Sequence, residues 1–101
     1  MTETVTMKVP AGEVVLLAGK LVARDLFALP RAVMADLGEL PFAEQIGPLT
    51  RLVLSWPYAG SPADLEAWAE LDVMSEMLPL WGVVKKHVYN GMTAYRKRLA
   101  N

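Results

Sequence analysis

A chain of 101 residues and 11.1 kDa has the length of one domain and is too short for two. Hydrophobic residues make up 53% of it and mean hydropathy is +0.27, which excludes a disordered chain and exceeds what a self-contained monomer of this size requires. A formal net charge of −1 gives no general attraction to nucleic acid or to an anionic membrane, and the absence of cysteine excludes disulfides and thiolate metal ligation.

The opening residues MTETVTMKVP have neither the basic start nor the apolar run of a secretion signal. No stretch approaches the roughly 20 apolar residues of a membrane span, so the expected location is a cytoplasm. Thr4 to Val9 alternate polar and apolar with β-branched residues, the period of a half-buried strand. Pro10, Ala11 and Gly12 supply a turn, and Glu13 to Leu17 form a second apolar run ending near Gly19. The two runs predict a hairpin; Lys20 to Arg24 fit either its extension or a third strand.

From Asp25 the period changes. Leu26, Leu29, Val33 and Leu37 recur at helical spacing, with Asp25 as N-cap and Gly38 as the stop. Pro30 costs about 3 kcal/mol inside a helix, which predicts a kink or a fresh start there. Pro41 suits the first turn of a next helix, which Gly47-Pro48 interrupts. Pro48 to Trp56 fit a short helix, with a buried strand as the rival. Trp56-Pro57-Tyr58-Ala59-Gly60 is a connector. Ser61 is then placed to cap a helix, with Pro62 at its first position and Asp64 in a capping box. Leu65, Trp68 and Leu71 share one side of that helix, while Glu66 and Glu70 face elsewhere.

Asp72 is placed as a further cap, with Glu76 in the first turn favouring the helix dipole. Met74, Met77, Leu78, Trp81, Val84 and Val88 follow helical spacing; Pro79 is expected to kink this helix and Asn90-Gly91 to end it. The expected architecture is α+β and mostly α within a single domain, 1–101. A β-hairpin occupies 1–19, a bundle of about four short helices 25–90, and a basic tail 91–101.

Charge is partitioned in the C-terminal half. Every carboxylate after position 50 lies between Asp64 and Glu76, and every base after Arg51 lies between Lys85 and Arg98. Helix dipoles explain this partition, and an acidic end docking on a basic one is the alternative. Catalysis finds little support. The one histidine, His87, has no nucleophile context; Asp64, Glu66, Glu70 and Asp72 sit where helix starts favour acids; and no phosphate-binding glycine loop exists. No catalytic residue, metal ligand or cofactor is expected. Arg96, Lys97 and Arg98 could touch nucleic acid, but without interleaved aromatics or a binding motif. Trp56, Tyr58, Trp68, Met74, Met77 and Trp81 are either core or the edge of a surface for an amphipathic helix.

The order of features resembles tail assembly chaperones of long-tailed bacteriophages and prophages. It comprises the alternating strand pair, Arg24-Asp25-Leu26, Leu52-Val53-Leu54-Ser55-Trp56, the Gly-x-Pro-x-Asp turn at 60–64 and Leu71-Asp72. The resemblance implies a non-enzymatic, self-associating protein that coats the tape measure protein and helps recruit tail tube subunits in the host cytoplasm. The basic cluster at 96–98 and the prolines at 30 and 79 lie outside that pattern. The candidate partner-binding residues, read from the chain itself, are those six aromatic and methionine side chains together with Arg96, Lys97 and Arg98. The alternative is a small phage or bacterial regulator that inhibits a host protein or nucleic-acid machine through its charged C-terminal half.

Overall fold

The computed structural model describes residues 3–18 and 23–100, with side chains throughout except at 23–27 and 92–100. Strand β1 (Thr4–Val9) turns through Pro10-Ala11 into β2 (Gly12–Leu17), and the two pair antiparallel with Thr4 opposite Leu17 and Val9 opposite Gly12. Gly12 has φ +152°, and a Cβ there would lie 3.0 Å from Cβ of Pro57, so the turn needs glycine both for its backbone and for the loop that crosses it.

A third strand, β3 (Val53–Ser55), pairs antiparallel with the other side of β2, giving the order β1-β2-β3. The expected hairpin is therefore part of a three-stranded sheet, and the added strand comes from 53–55. Gly19 to Val22, where the first strand pair was expected to end or extend, lie outside the described residues; Ala23 and Arg24 already belong to a helix. Val15 faces Ser55 and Leu16 faces Val53, so Leu54 is an extra residue bulged out of the ladder. That bulge explains why a leucine in a strand is 44% exposed.

Helix α1 (Ala23–Met34) runs without interruption through Pro30 and begins two residues before Asp25, whose side chain lies outside the described set. The proline neither restarts nor breaks it. Pro30 removes only the N–H that would reach the Leu26 carbonyl, while Leu29, Ala32 and Val33 around it are buried at 2% exposure or less, and packing offsets the missing bond. Two short helices follow, α2 (Phe42–Ile46) and α3 (Leu49–Leu52), separated at Gly47-Pro48 as expected. Pro41 stands just outside α2 in an extended conformation. The segment 48–56 holds both rival structures in succession, one helical turn and then β3.

Helix α4 (Leu65–Ala69) starts later than its sequence suggests. Ser61 shapes the preceding turn, its Oγ accepting from the Ala63 N–H, and the cap is Asp64, which accepts from the Glu66 N–H at 3.1 Å. Residues 73–77 form one π-helical turn leading into α5 (Leu78–Ala100). The Met77 N–H reaches back five residues to the Asp72 carbonyl (2.9 Å) and the Leu78 N–H to Val73. A widened turn directly before Pro79 moves the Ser75 carbonyl away from the proline ring, which would otherwise clash with it. The helix does not stop at Asn90-Gly91. A glycine carries a helix-interior cost of about 1 kcal/mol but ends a helix only by leaving the helical conformation, and MTAYRKRLA beyond it is rich in helix formers.

The core lies between one face of the sheet and the helices. Val9, Val14, Leu16 and Val53 meet Leu29 and Val33 of α1, Ile46, Leu49 and Leu52 of α2 and α3, and Leu80, Trp81, Val84 and Val88 of α5. About half of the chain is helical, and the radius of gyration of 13.3 Å matches the roughly 13 Å expected of a globular 100-residue domain. Among the described residues, no helix is long and apolar enough to cross a membrane.

Candidate partner-binding surface

The aromatic side chains around the Trp56–Gly60 reversal point inward. Trp56 is 8% exposed, Tyr58 9% and Trp68 2%. The Trp56 and Trp68 rings have centroids 5.0 Å apart, and Trp56 meets Tyr58 edge-on at 5.6 Å. Each indole finds a main-chain acceptor in the same loop, Trp56 Nε1 donating to the Gly60 carbonyl at 3.0 Å and Trp68 Nε1 to the Pro62 carbonyl at 2.8 Å. Gly60 has φ +78°, and a Cβ there would come within 2.9 Å of Ala67, so the reversal closes tightly onto α4. The Tyr58 hydroxyl donates to the Glu76 carbonyl (3.4 Å), and burial, followed by the Glu76 charge, pushes its phenol above the usual value. Three aromatic rings thus fasten the loop at 56–68 to the core and to the start of α5.

Met77 and Trp81, each 8% exposed, also belong to the core, joined by Leu80, a fully buried residue that the helical spacing did not single out. Of the six aromatic and methionine candidates, only Met74 stands on the surface, at 74% exposure. The π-helical turn is the reason. An extra residue per turn rotates Met74 out of the stripe that Met77, Trp81, Val84 and Val88 keep. Arg96, Lys97 and Arg98 lie on the backbone of α5, with side chains outside the described residues.

Rotation at that turn creates a patch. Val73 is 59% exposed and Leu78 41%; the Leu78 N–H bonds to the Val73 carbonyl one π-turn earlier, so the three exposed apolar residues fall within six positions at the start of the helix. The rim is acidic and ordered. Asp72 accepts from the Ser75 N–H (2.9 Å) and hydroxyl (2.6 Å), while Glu76 Oε1 accepts from the Asp72 N–H at 2.7 Å. The Ser75 bonds hold the Asp72 carboxyl below the usual carboxylate value. Glu66 of α4 and Glu70, the residue that follows it, are exposed.

These assignments also explain the acidic run. Asp64 and Asp72 cap helix starts and Glu76 completes the reciprocal bond. Among the described residues, no group of three or more histidine and carboxylate side chains is arranged to hold a metal ion. His87 has a structural contact, its Nε2 donating to the Leu17 carbonyl (2.8 Å) and joining α5 to the end of β2.

No protein-family model, curated protein or solved structure matches this chain.

Proposed function

We propose that the chain is a non-enzymatic chaperone that holds an amphipathic helical segment of a tape measure protein during phage tail assembly, with tail tube subunits as a second class of client. The observation that carries the reading is the exposed triplet Val73, Met74 and Leu78 at the base of α5, in a turn held by the reciprocal bonds of the acidic pair Asp72 and Glu76. An apolar strip containing an unbranched methionine adapts to varied side chains, and an acidic pair suits a helix whose apolar face is flanked by lysine or arginine. The resemblance of the order of sequence features to tail assembly chaperones suggests the identity of the client.

Co-expression with the tape measure protein encoded by the same genome tests the reading. The client is expected in the soluble fraction only when this chain is present. It is expected to return to the pellet with M74K/L78E at two exposed positions, while circular dichroism is expected to find the helical content of that variant unchanged. A client equally insoluble with and without the wild-type chain overturns the reading.

A further inference from the structure

Strand β1 is an edge of the sheet, and its hydrogen-bonding parity follows from two observations. The two-residue connection at 10–11 makes Val9 and Gly12 the closing bonded pair. At the other end the Ala18 N–H donates to the Glu3 carbonyl at 2.9 Å, in the same register. Residues 3, 5, 7 and 9 therefore direct their main-chain groups to β2, and Thr4, Thr6 and Lys8 direct theirs outward. Among the described residues no strand pairs with that side.

The two edges of this sheet are not alike. β3 is three residues long and bulged at Leu54, two devices that discourage strand addition. β1 is six residues long and pairs with β2 without a break in register. Its only charge is Lys8, whose cross-strand neighbour is Glu13. Its apolar face is also uncovered toward one end, with Val9 8% exposed, Met7 half-buried and Val5 39% exposed.

We propose that this edge pairs with the same edge of a second copy of the chain, antiparallel and centred on Thr6. The polarity of Thr4-Val5-Thr6-Met7-Lys8 is the same in either direction about Thr6, so a two-fold axis there matches face to face. Thr6 meets Thr6 and Thr4 meets Lys8 of the second copy, completing about six main-chain hydrogen bonds. Val5 comes to lie against Met7 of the second copy, continuing the apolar face across the junction. The two lysines stand four residues apart along the strand direction, roughly 13 Å, which limits their repulsion. The pairing is independent of the patch at Val73, Met74 and Leu78.

Sedimentation of the whole chain across a range of concentrations tests the proposal. The wild type is expected to approach twice the monomer mass, with the Thr6 amide exchanging slowly in the dimer and fast on dilution. Thr6→Pro removes an outward N–H and no bond to β2, and is expected to weaken association at least 10-fold. In a chain without cysteine, Thr6→Cys is expected to form a disulfide-linked dimer, since Cα atoms of a bonded antiparallel pair lie about 5.5 Å apart. Leu54→Cys on the opposite edge is not. A wild type that stays monomeric at millimolar concentration overturns the proposal, as does a folded Thr6→Pro that associates undiminished. So does Leu54→Cys cross-linking as fast as Thr6→Cys, and that comparison decides the matter if Thr6→Pro does not fold.

Discussion

Gln45 is the only buried polar side chain among the described residues, at 3% exposure, and it closes the end of α1. Its Nε2 donates toward the carbonyls of Ala32 and Ala35 (3.3 Å each) and Asp36 (3.1 Å), and its Oε1 accepts from the Gly38 N–H at 3.2 Å. Helix ends leave carbonyls without donors, and a buried end needs a substitute. Gln45→Leu is expected to destabilise the fold by about 2 kcal/mol, the order of cost of orphaned buried main-chain groups, measured by urea unfolding. Gln45→Glu is expected to cost more at neutral pH, because a carboxylate would face the same three carbonyls. Those carbonyls raise its folded pKa, so the loss shrinks as pH falls through that value. This cap was not legible in the sequence. Its partners are main-chain groups 7 to 13 residues away, and a glutamine one position before Ile46 has no local pattern to mark it. Asp72, by contrast, was legible, because a cap acts on residues three and four positions ahead, within reach of spacing arguments.

The start of α5 combines a cap, a π-helical turn and a proline in eight residues. Asp72 is an acid whose folded pKa is lowered, first by its Ser75 hydrogen bonds, so its contribution to stability is present above the unfolded value of 3.8 and is lost as pH falls through the folded value. Asp72→Asn, which keeps a capping oxygen but not the charge, is expected to lower Tm slightly between pH 5 and 7, with the gap to wild type closing in acid below the unfolded value. A gap that persists at pH 2 would assign the effect to something other than ionisation. Sequence spacing found this element but missed its internal register, since Met74 and Leu78 fit a continuous α-helical stripe and only the widened turn takes them off it. Two further differences have local physical causes. The stretch 48–56 has β-branched and leucine residues compatible with either state, and pairing with β2, some 40 residues earlier, decides for strand at Val53. Gly91 is a permissive residue rather than an obligatory stop, with open space around the position of a Cβ.

At the scale of the molecule, stability is expected to be uneven. β2 is bonded on both sides and carries Val14 and Leu16 at 0% exposure, and α5 contributes Leu80 and Val84 at 0%. Native-state hydrogen exchange is expected to find its slowest amides at Val14 to Leu16 and Leu80 to Val88, and faster ones in the short helices α2 to α4. A uniform profile would mean that the sheet and α5 do not form the most stable unit. The α+β class was readable from the change of period at Asp25. The third strand was not, because strand pairing across a long stretch of chain leaves no local trace. The candidate surface was half legible: composition pointed to an apolar excess, but aromatic residues at a proline-glycine reversal carry the same signature whether they face a partner or the core.

Here they face the core, and the geometry of that choice has an optical consequence. Two indoles with centroids 5.0 Å apart and planes inclined at 54° are close enough for their transition dipoles to couple. Their N–H groups, bonded to the Gly60 and Pro62 carbonyls, fix the angle between them. Closure of the loop at 56–68 therefore carries an exciton signature separate from the amide signal of the helices. The chain holds a built-in chromophore pair whose splitting vanishes when the loop opens.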